Sequence, residues 1–208
     1  NINSGLWSFF FAFLLVLIYM VFYYKRAGWV ANIALVANVF FIIGTLASLG
    51  AALTLPGIAG LVLTIGMSVD ANVLIYERIR EELRNGKGIK LAIQDGYKHA
   101  YSAIIDANVT SLLTAVVLAY FGSGPIQGFA TTLIIGVFTS LFSAIFITRL
   151  IFSYLLDTKR EVYFSRKFTE NLFTGTTIEF LKKRKIFYAF SALIIGFGIF
   201  SLSTRGLD

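Results

Sequence analysis

Two carboxyl groups stand inside apolar runs of this sequence. Asp70 and Asp106 each open the same tetrapeptide, Asp70-Ala71-Asn72-Val73 and Asp106-Ala107-Asn108-Val109. An Asp at the centre of a spanning helix costs about 2.5–3.5 kcal/mol on insertion scales, so it is either held by partners or put to use. In the first reading each carboxyl accepts from Thr64, Ser68, Thr110 or Ser111 and locks helices together. In the second, desolvation raises the carboxyl's pKa until it can load and release a proton. A proton falling through a membrane potential supplies about 2.3 kcal/mol per 100 mV. Asp70 lies near the middle of its apolar run and Asp106 one turn into the next, so Asp70 is the first candidate for proton coupling and Asp106 the second. Asp70 is expected to face the bundle interior, because a carboxylate against lipid is costly. Asp106 is expected to lean on Ser102 and Thr110, one turn away on its own face. Each Asn follows its Asp by two residues, about 200° around a helix, so the two face different neighbours.

Other chemistries lack their residues. With no Cys, there is no disulfide framework, Cys-ligated zinc or thiol nucleophile. The single histidine, His99, argues against a His-rich metal site and against a Ser-His-Asp triad, and is read as solvated. No catalytic residue, metal ligand or cofactor is assigned.

The elements that position the two acids follow from composition. Of the 208 residues 57% are hydrophobic and 14% charged, against roughly 25% charged in soluble domains; mean hydropathy is +0.79. A bilayer core of roughly 30 Å needs about 20 helical residues. Six runs qualify: Leu6 to Tyr24, Val30 to Leu49, Gly57 to Tyr76, Ala103 to Phe121, Gln127 to Leu156 and Ile186 to Ser203. The fold class is therefore all-α, a polytopic bundle of six spans. The chain divides into a five-span region over residues 1–156, a basic linker over 157–185 and a last span over 186–208.

Charge orients the bundle. Nearly all of the 18 basic residues fall in the first, third and fifth connections, which the positive-inside rule places in the cytoplasm. Both ends of the chain then face outward. The connection from Glu77 to Ser102 is expected to form one or two interfacial helices broken at Gly86 and Gly88. The outward turns are short, with Pro56-Gly57 and Gly124-Pro125 opening helices. Gly57, Gly60 and Gly66 thin the third span and Gly128 and Gly136 the fifth, which lets helices approach closely. The basic loops lack a stacking-aromatic or Gly-rich motif, so no nucleic-acid role is assigned. The chain starts without Met and stops just past an apolar run, and reads as an excerpt of a longer protein.

Several ordered stretches carry a family resemblance. They are Leu55-Pro56-Gly57-Ile58-Ala59-Gly60, the run Thr64-Ile65-Gly66-Met67-Ser68-Val69-Asp70-Ala71-Asn72-Val73, then Ile105-Asp106-Ala107-Asn108-Val109-Thr110, and Phe121-Gly122-Ser123-Gly124-Pro125-Ile126-Gln127-Gly128-Phe129-Ala130. Together they resemble the membrane half of SecD, and the layout resembles the fused SecDF proteins of the RND superfamily. Phe180 to Lys185 and the last span resemble the opening of SecF. The resemblance implies an RND-type half bundle in the bacterial inner (cytoplasmic) membrane, with both ends periplasmic, that uses the proton-motive force in late steps of protein translocation. It implies no enzymatic activity. The implied partners are the SecYEG channel, SecA, YajC and YidC, together with secreted preproteins and the lipid membrane. It places the essential intramembrane acid on Asp70 and gives Gly66, Asn72, Asp106, Asn108, Thr110, Gly124, Pro125 and Gly128 as motif residues. Ser68 and Tyr76 stand where the family usually has Ala and Phe.

Three other functions compete. An RND-type proton-coupled exporter of small molecules or lipids would share the intramembrane acid and differ in its periplasmic domains. An intramembrane aspartyl protease needs two carboxyls sharing a water, and the residues before Asp70 lack the Gly flanking such an acid. A passive scaffold would tolerate Asp70→Asn.

Overall fold

The computed structural model describes residues 2–50, 54–158, 160, 162–165 and 184–205. Every regular element among them is a helix. They are α1 (Ile2–Tyr24), α2 (Arg26–Ser48), α3 (Leu55–Arg84), α4 (Ile89–Phe121), α5 (Pro125–Leu141), a π-helical segment (Phe142–Ile147), α6 (Thr148–Asp157) and α7 (Arg184–Arg205). The π segment joins α5 and α6 into one continuous rod, Pro125–Asp157. That rod, α2, α3, α4 and Arg184–Ser203 are long and apolar enough to cross a membrane. In α1 the apolar stretch is Phe10–Tyr24. The all-α reading with apolar spans holds.

Residues Asn1–Glu170 form one compact unit and Asn171–Asp208 a second. Within the first, α3, α4 and α5 pack on one another, and α2 lies against α1, α3 and α5. Small residues set these approaches. A Cβ on Gly60 would stand 3.1 Å from the Phe129 carbonyl oxygen, and one on Gly136 would stand 2.6 Å from the Thr64 Cβ. At Gly96 of α4 it would stand 2.9 Å from the Ile79 backbone nitrogen of α3. Glycine here turns helix faces into grooves deep enough for a neighbouring backbone.

The turns obey local chemistry. The side chain of Thr54 accepts from the Gly57 N–H at 3.2 Å, capping α3 just ahead of Pro56. The chain enters α5 through Gly124 at φ 53, a left-handed conformation that glycine adopts without Cβ strain. At the opposite end Lys25 holds φ 55 between α1 and α2. There a Cβ on Gly28 would fall against the Met20 backbone.

An aromatic cluster closes the bundle at this second end. Tyr76 sits 5.3 Å from Tyr24, 5.8 Å from Phe152 and 5.5 Å from Phe164, ring centre to ring centre, all edge-on. Phe164 is buried, and the Ala27 N–H donates to the Tyr163 carbonyl at 3.1 Å. Val162 and Phe164, a few residues past α6, are therefore packed into the core.

The connection from Glu77 to Ser102 differs from the expectation of separate interfacial helices. α3 runs on to Arg84 and α4 begins at Ile89, so both spans extend past the apolar region and meet at a corner. Pairs three residues apart, Glu77 with Arg80 and Arg78 with Glu81, carry α3 through its charged last turns. The break falls at Gly86, which takes φ 84. Most of the basic linker, residues 166–183, lies outside the described residues.

Candidate intramembrane acid site

α3 has two unlike faces. Its buried face carries Gly57, Gly60, Leu61, Thr64, Ser68, Ala71, Asn72, Ile75 and Ile79, the side that meets α4 and α5. Its other face, with Ala59, Leu63, Gly66 and Asp70, is exposed. Asp70 is thus not turned into the α3–α4–α5 interior. The cause is periodicity: Ser68 and Asn72 occupy the packed face, and Asp70 lies between them in sequence, roughly half a turn away from each. Asp70 has no hydrogen-bond or ionic partner among the described residues.

Gly66 lies one turn from Asp70, and a Cβ there would meet nothing within 4 Å. It opens the surface beside the acid and makes no close helix contact. An apolar cavity of about 220 Å³ runs along this side between α1 and α3, lined by Phe13, Val16, Val62, Gly66 and Val69.

The hydroxyls weighed as carboxylate partners turn back onto their own helices. Thr64 donates to the Leu61 carbonyl at 2.9 Å, Thr110 to the Asp106 carbonyl at 3.0 Å and Ser111 to the Ala107 carbonyl at 3.1 Å. Ser68 is fully buried and its hydroxyl lacks a partner among the described residues. Asp106 is exposed, and its carboxylate accepts a long bond from Ser102 at 3.4 Å. Thr110 reaches the Asp106 backbone and not its carboxyl.

The asparagines of the two tetrapeptides take the inner places. Asn72 is 1% exposed and Asn108 7%. Asn108 donates to the Ile104 carbonyl at 2.8 Å. Both carboxamide oxygens lack hydrogen-bond partners among the described residues, an arrangement that costs free energy in a packed interior. Each repeated motif therefore presents an acid outward and an amide inward.

Gly124 and Pro125 start α5 at the far end from the aromatic cluster. A Cβ on Gly128 would stand 2.9 Å from the Thr54 hydroxyl, so this glycine seats the α3 cap against α5. Among the described residues no three His, Asp or Glu side chains are grouped to hold a metal.

The α3–α4 corner carries a compact ionic group. Lys87 lies 2.7 Å from Glu82 and 2.6 Å from Asp95, and His99 lies 2.9 Å from Glu82. The Lys87 hydrogen bond holds the Glu82 and Asp95 carboxyls below their usual range, and those carboxylates, Asp95 first, raise Lys87.

Sequence reasoning passed over three features near this end. They are the π segment, the bond between the Tyr97 and Thr148 hydroxyls at 2.5 Å, and a cavity rimmed by Lys98 and Arg149. Periodicity marks spans and faces, and it carries no signal for a local change of helical pitch.

Comparison with known proteins bears on the whole unit. The family model of the protein export membrane protein SecD/SecF, C-terminal region, matches residues 2–158. The protein translocase subunit SecD of Rhodothermus marinus is 59% identical over 156 residues, which are 75% of this chain and 25% of that protein. SecD of Desulfurispirillum indicum is 54% identical over 156 residues, covering 75% of this chain and 30% of the relative. The chain thus spans about a quarter to a third of the length of such relatives. The crystal structure of SecDF from Thermus thermophilus, described as a translocon-associated membrane protein, superposes with a TM-score of 0.88 at 35% identity. That match covers 100% of this chain and 28% of the other.

Proposed function

Because this chain belongs to the SecD/SecF family of protein-export membrane proteins, we propose that it is the membrane part of an auxiliary Sec translocase subunit. It draws on the proton-motive force to drive late steps of polypeptide export across the cytoplasmic membrane. It works beside the SecYEG channel and SecA, with YajC and YidC as further partners, on secreted preproteins. The basic ends of α3 and α4 lie in the cytoplasm and both ends of the chain outside.

Asp70 is the proton-coupling residue, and one observation carries this reading. A carboxyl stands in the apolar stretch of α3 with no partner among the described residues. Its exposed face is the reverse of the inward orientation expected of it and counts against this reading, so the missing partner is what supports it. A group already neutralised by a fixed ion pair could not cycle between protonated and ionised states. The open face leaves room for a changing surface, and glycine at position 66 removes the side chain that would otherwise shield the acid. Asp106, with only a long bond to Ser102, is assigned a secondary role.

The test is export of a reporter protein by wild type and Asp70→Asn at equal protein level, with the gradient imposed or collapsed. Asn keeps size and hydrogen-bonding capacity and fixes a neutral state. The expected result is a variant that folds and no longer responds to the gradient. An Asp70→Asn protein that responds as wild type does would remove Asp70 from the coupling path.

A further inference from the structure

We propose that the cavity between α4 and the π segment, at the basic end of the bundle, is a binding site for the phosphate headgroup of a membrane phospholipid, with Lys98 and Arg149 as its cationic ligands.

The cavity measures about 360 Å³. Two cations line it and no carboxylate does. Arg78, Arg80 and Lys87 nearby are by contrast each paired with a glutamate. Neither Lys98 nor Arg149 forms an ion pair or side-chain hydrogen bond at contact distance among the described residues, and Lys98 acts on Asp95 only at longer range. Arg149 stands in an apolar rod, between Ile147-Thr148 and Leu150-Ile151. Arg149 is exposed on that rod toward its basic end, where a guanidinium reaches for the headgroup level, and the cavity beside it can receive an anion.

The lining is ordered along the bundle axis as a phospholipid is. Lys98 and Gln94 lie toward the corner of α3 and α4, while Ile104 lies about 9 Å deeper than Lys98 by helical rise. On the facing rod Ile145 lies about 6 Å deeper than Arg149. Ile75 of α3 completes the apolar floor. Charge therefore gives way to hydrocarbon over the distance that separates a phosphodiester from the first acyl carbons. The rod flank next to the cavity is apolar and open, with Phe146 57% and Leu150 61% exposed, which suits a lipid entering sideways from the bilayer.

Helical pitch supplies a further, independent reason. The π segment ends two residues before Arg149 and includes Ile145. A π turn widens the helix and displaces the side chains that follow it, and such turns concentrate at functional positions. Basic recesses between spanning helices near the cytoplasmic surface suit lipid headgroups. Bidentate Arg and a flexible Lys are a complementary pair for a phosphodiester.

The experiment places the protein in nanodiscs of phosphatidylcholine doped with phosphatidylglycerol that carries a diazirine in its headgroup. After irradiation, labelled peptides are mapped by mass spectrometry. Label should concentrate on the peptides containing residues 94–104 and 145–149. The double variant Lys98→Gln/Arg149→Gln should lose label about tenfold or more, as expected for two charge-assisted contacts. Arg149→Lys, which keeps the charge and loses the bidentate geometry, should retain part of it, more than Arg149→Gln. Lys98→Gln alone, an exposed change that leaves the fold intact, should lower label several-fold and reports even if the double variant does not fold. Uniform labelling around the bundle, or unchanged label in the variants, would overturn the proposal. So would loss of label to excess inorganic phosphate, which would make the site one for a free anion.

Discussion

Gly136 of α5 lies flat against Thr64 of α3: a Cβ added to the glycine would stand 2.6 Å from the Thr64 Cβ and 2.7 Å from its hydroxyl oxygen. Thr64 is completely buried and branches at the point of contact, so it cannot swing aside. Gly136→Ala should destabilise the bundle by about 1–3 kcal/mol, the usual cost of overpacking. Thermal unfolding in detergent reads the loss, and Thr64→Ala in the same chain should recover part of it as a coupling energy. Simple additivity of the two substitutions would mean the helices have another way to separate.

The two repeated acids should not be equivalent. Asp106→Asn removes a weak bond from Ser102 at an exposed site, and gradient-driven export should stay well above that of Asp70→Asn. Asp70→Glu keeps a titrating group one methylene further out and should give partial activity. Equal failure of the two Asn variants in a gradient-dependent export assay would reverse the ranking.

The α3–α4 corner should be pH-sensitive at both extremes. Glu82 and Asp95 have carboxyls lowered by Lys87, so their contribution is present above the ordinary carboxylate range and lost as pH falls through their folded values. Lys87 is raised, so its contribution is present below its ordinary value of 10.5 and lost as pH rises through the folded one. Hydrogen exchange of residues 82–96, corrected for intrinsic rates, should show protection falling below about pH 4 and above about pH 10.5 and level between. Lys87→Met should abolish the alkaline edge and weaken the acid one, where His99 still faces Glu82.

Thr54 works twice, capping α3 through the Gly57 N–H and resting where Gly128 leaves space. Thr54→Ala should cost about 1 kcal/mol, seen as faster exchange in the first turn of α3. Thr54→Ser keeps the cap and should restore protection. A serine variant that exchanges like the alanine one would assign the effect to packing against α5.

The spans were legible because an apolar run of some twenty residues has one economical structure in a bilayer. Gly57, Gly60 and Gly136 were legible as contact residues because a missing side chain is itself a packing signal. The facing of Asp70 was not. Cost alone predicts an acid turned inward, and the sequence of α3 also holds Ser68 and Asn72, whose shared face excludes it. Polar residues two apart cannot all be interior, and nothing in composition says which set packs. The helical character of residues 77–102 was legible, while their continuity with α3 and α4 depended on local ion pairs that periodicity does not weigh.

A π turn holds one residue more than the α turn it replaces. Residues 142–147 therefore act as a fixed insertion, and everything after them is out of phase with α5 by about 100°. Thr148 and Phe152, both fully buried, reach Tyr97 and the aromatic cluster only in that shifted frame. Removing a single residue from the segment would return the rod to one uninterrupted α frame, at the expense of turning those two side chains out of the core. The helix spells its two halves in different reading frames, and the bundle is assembled from both.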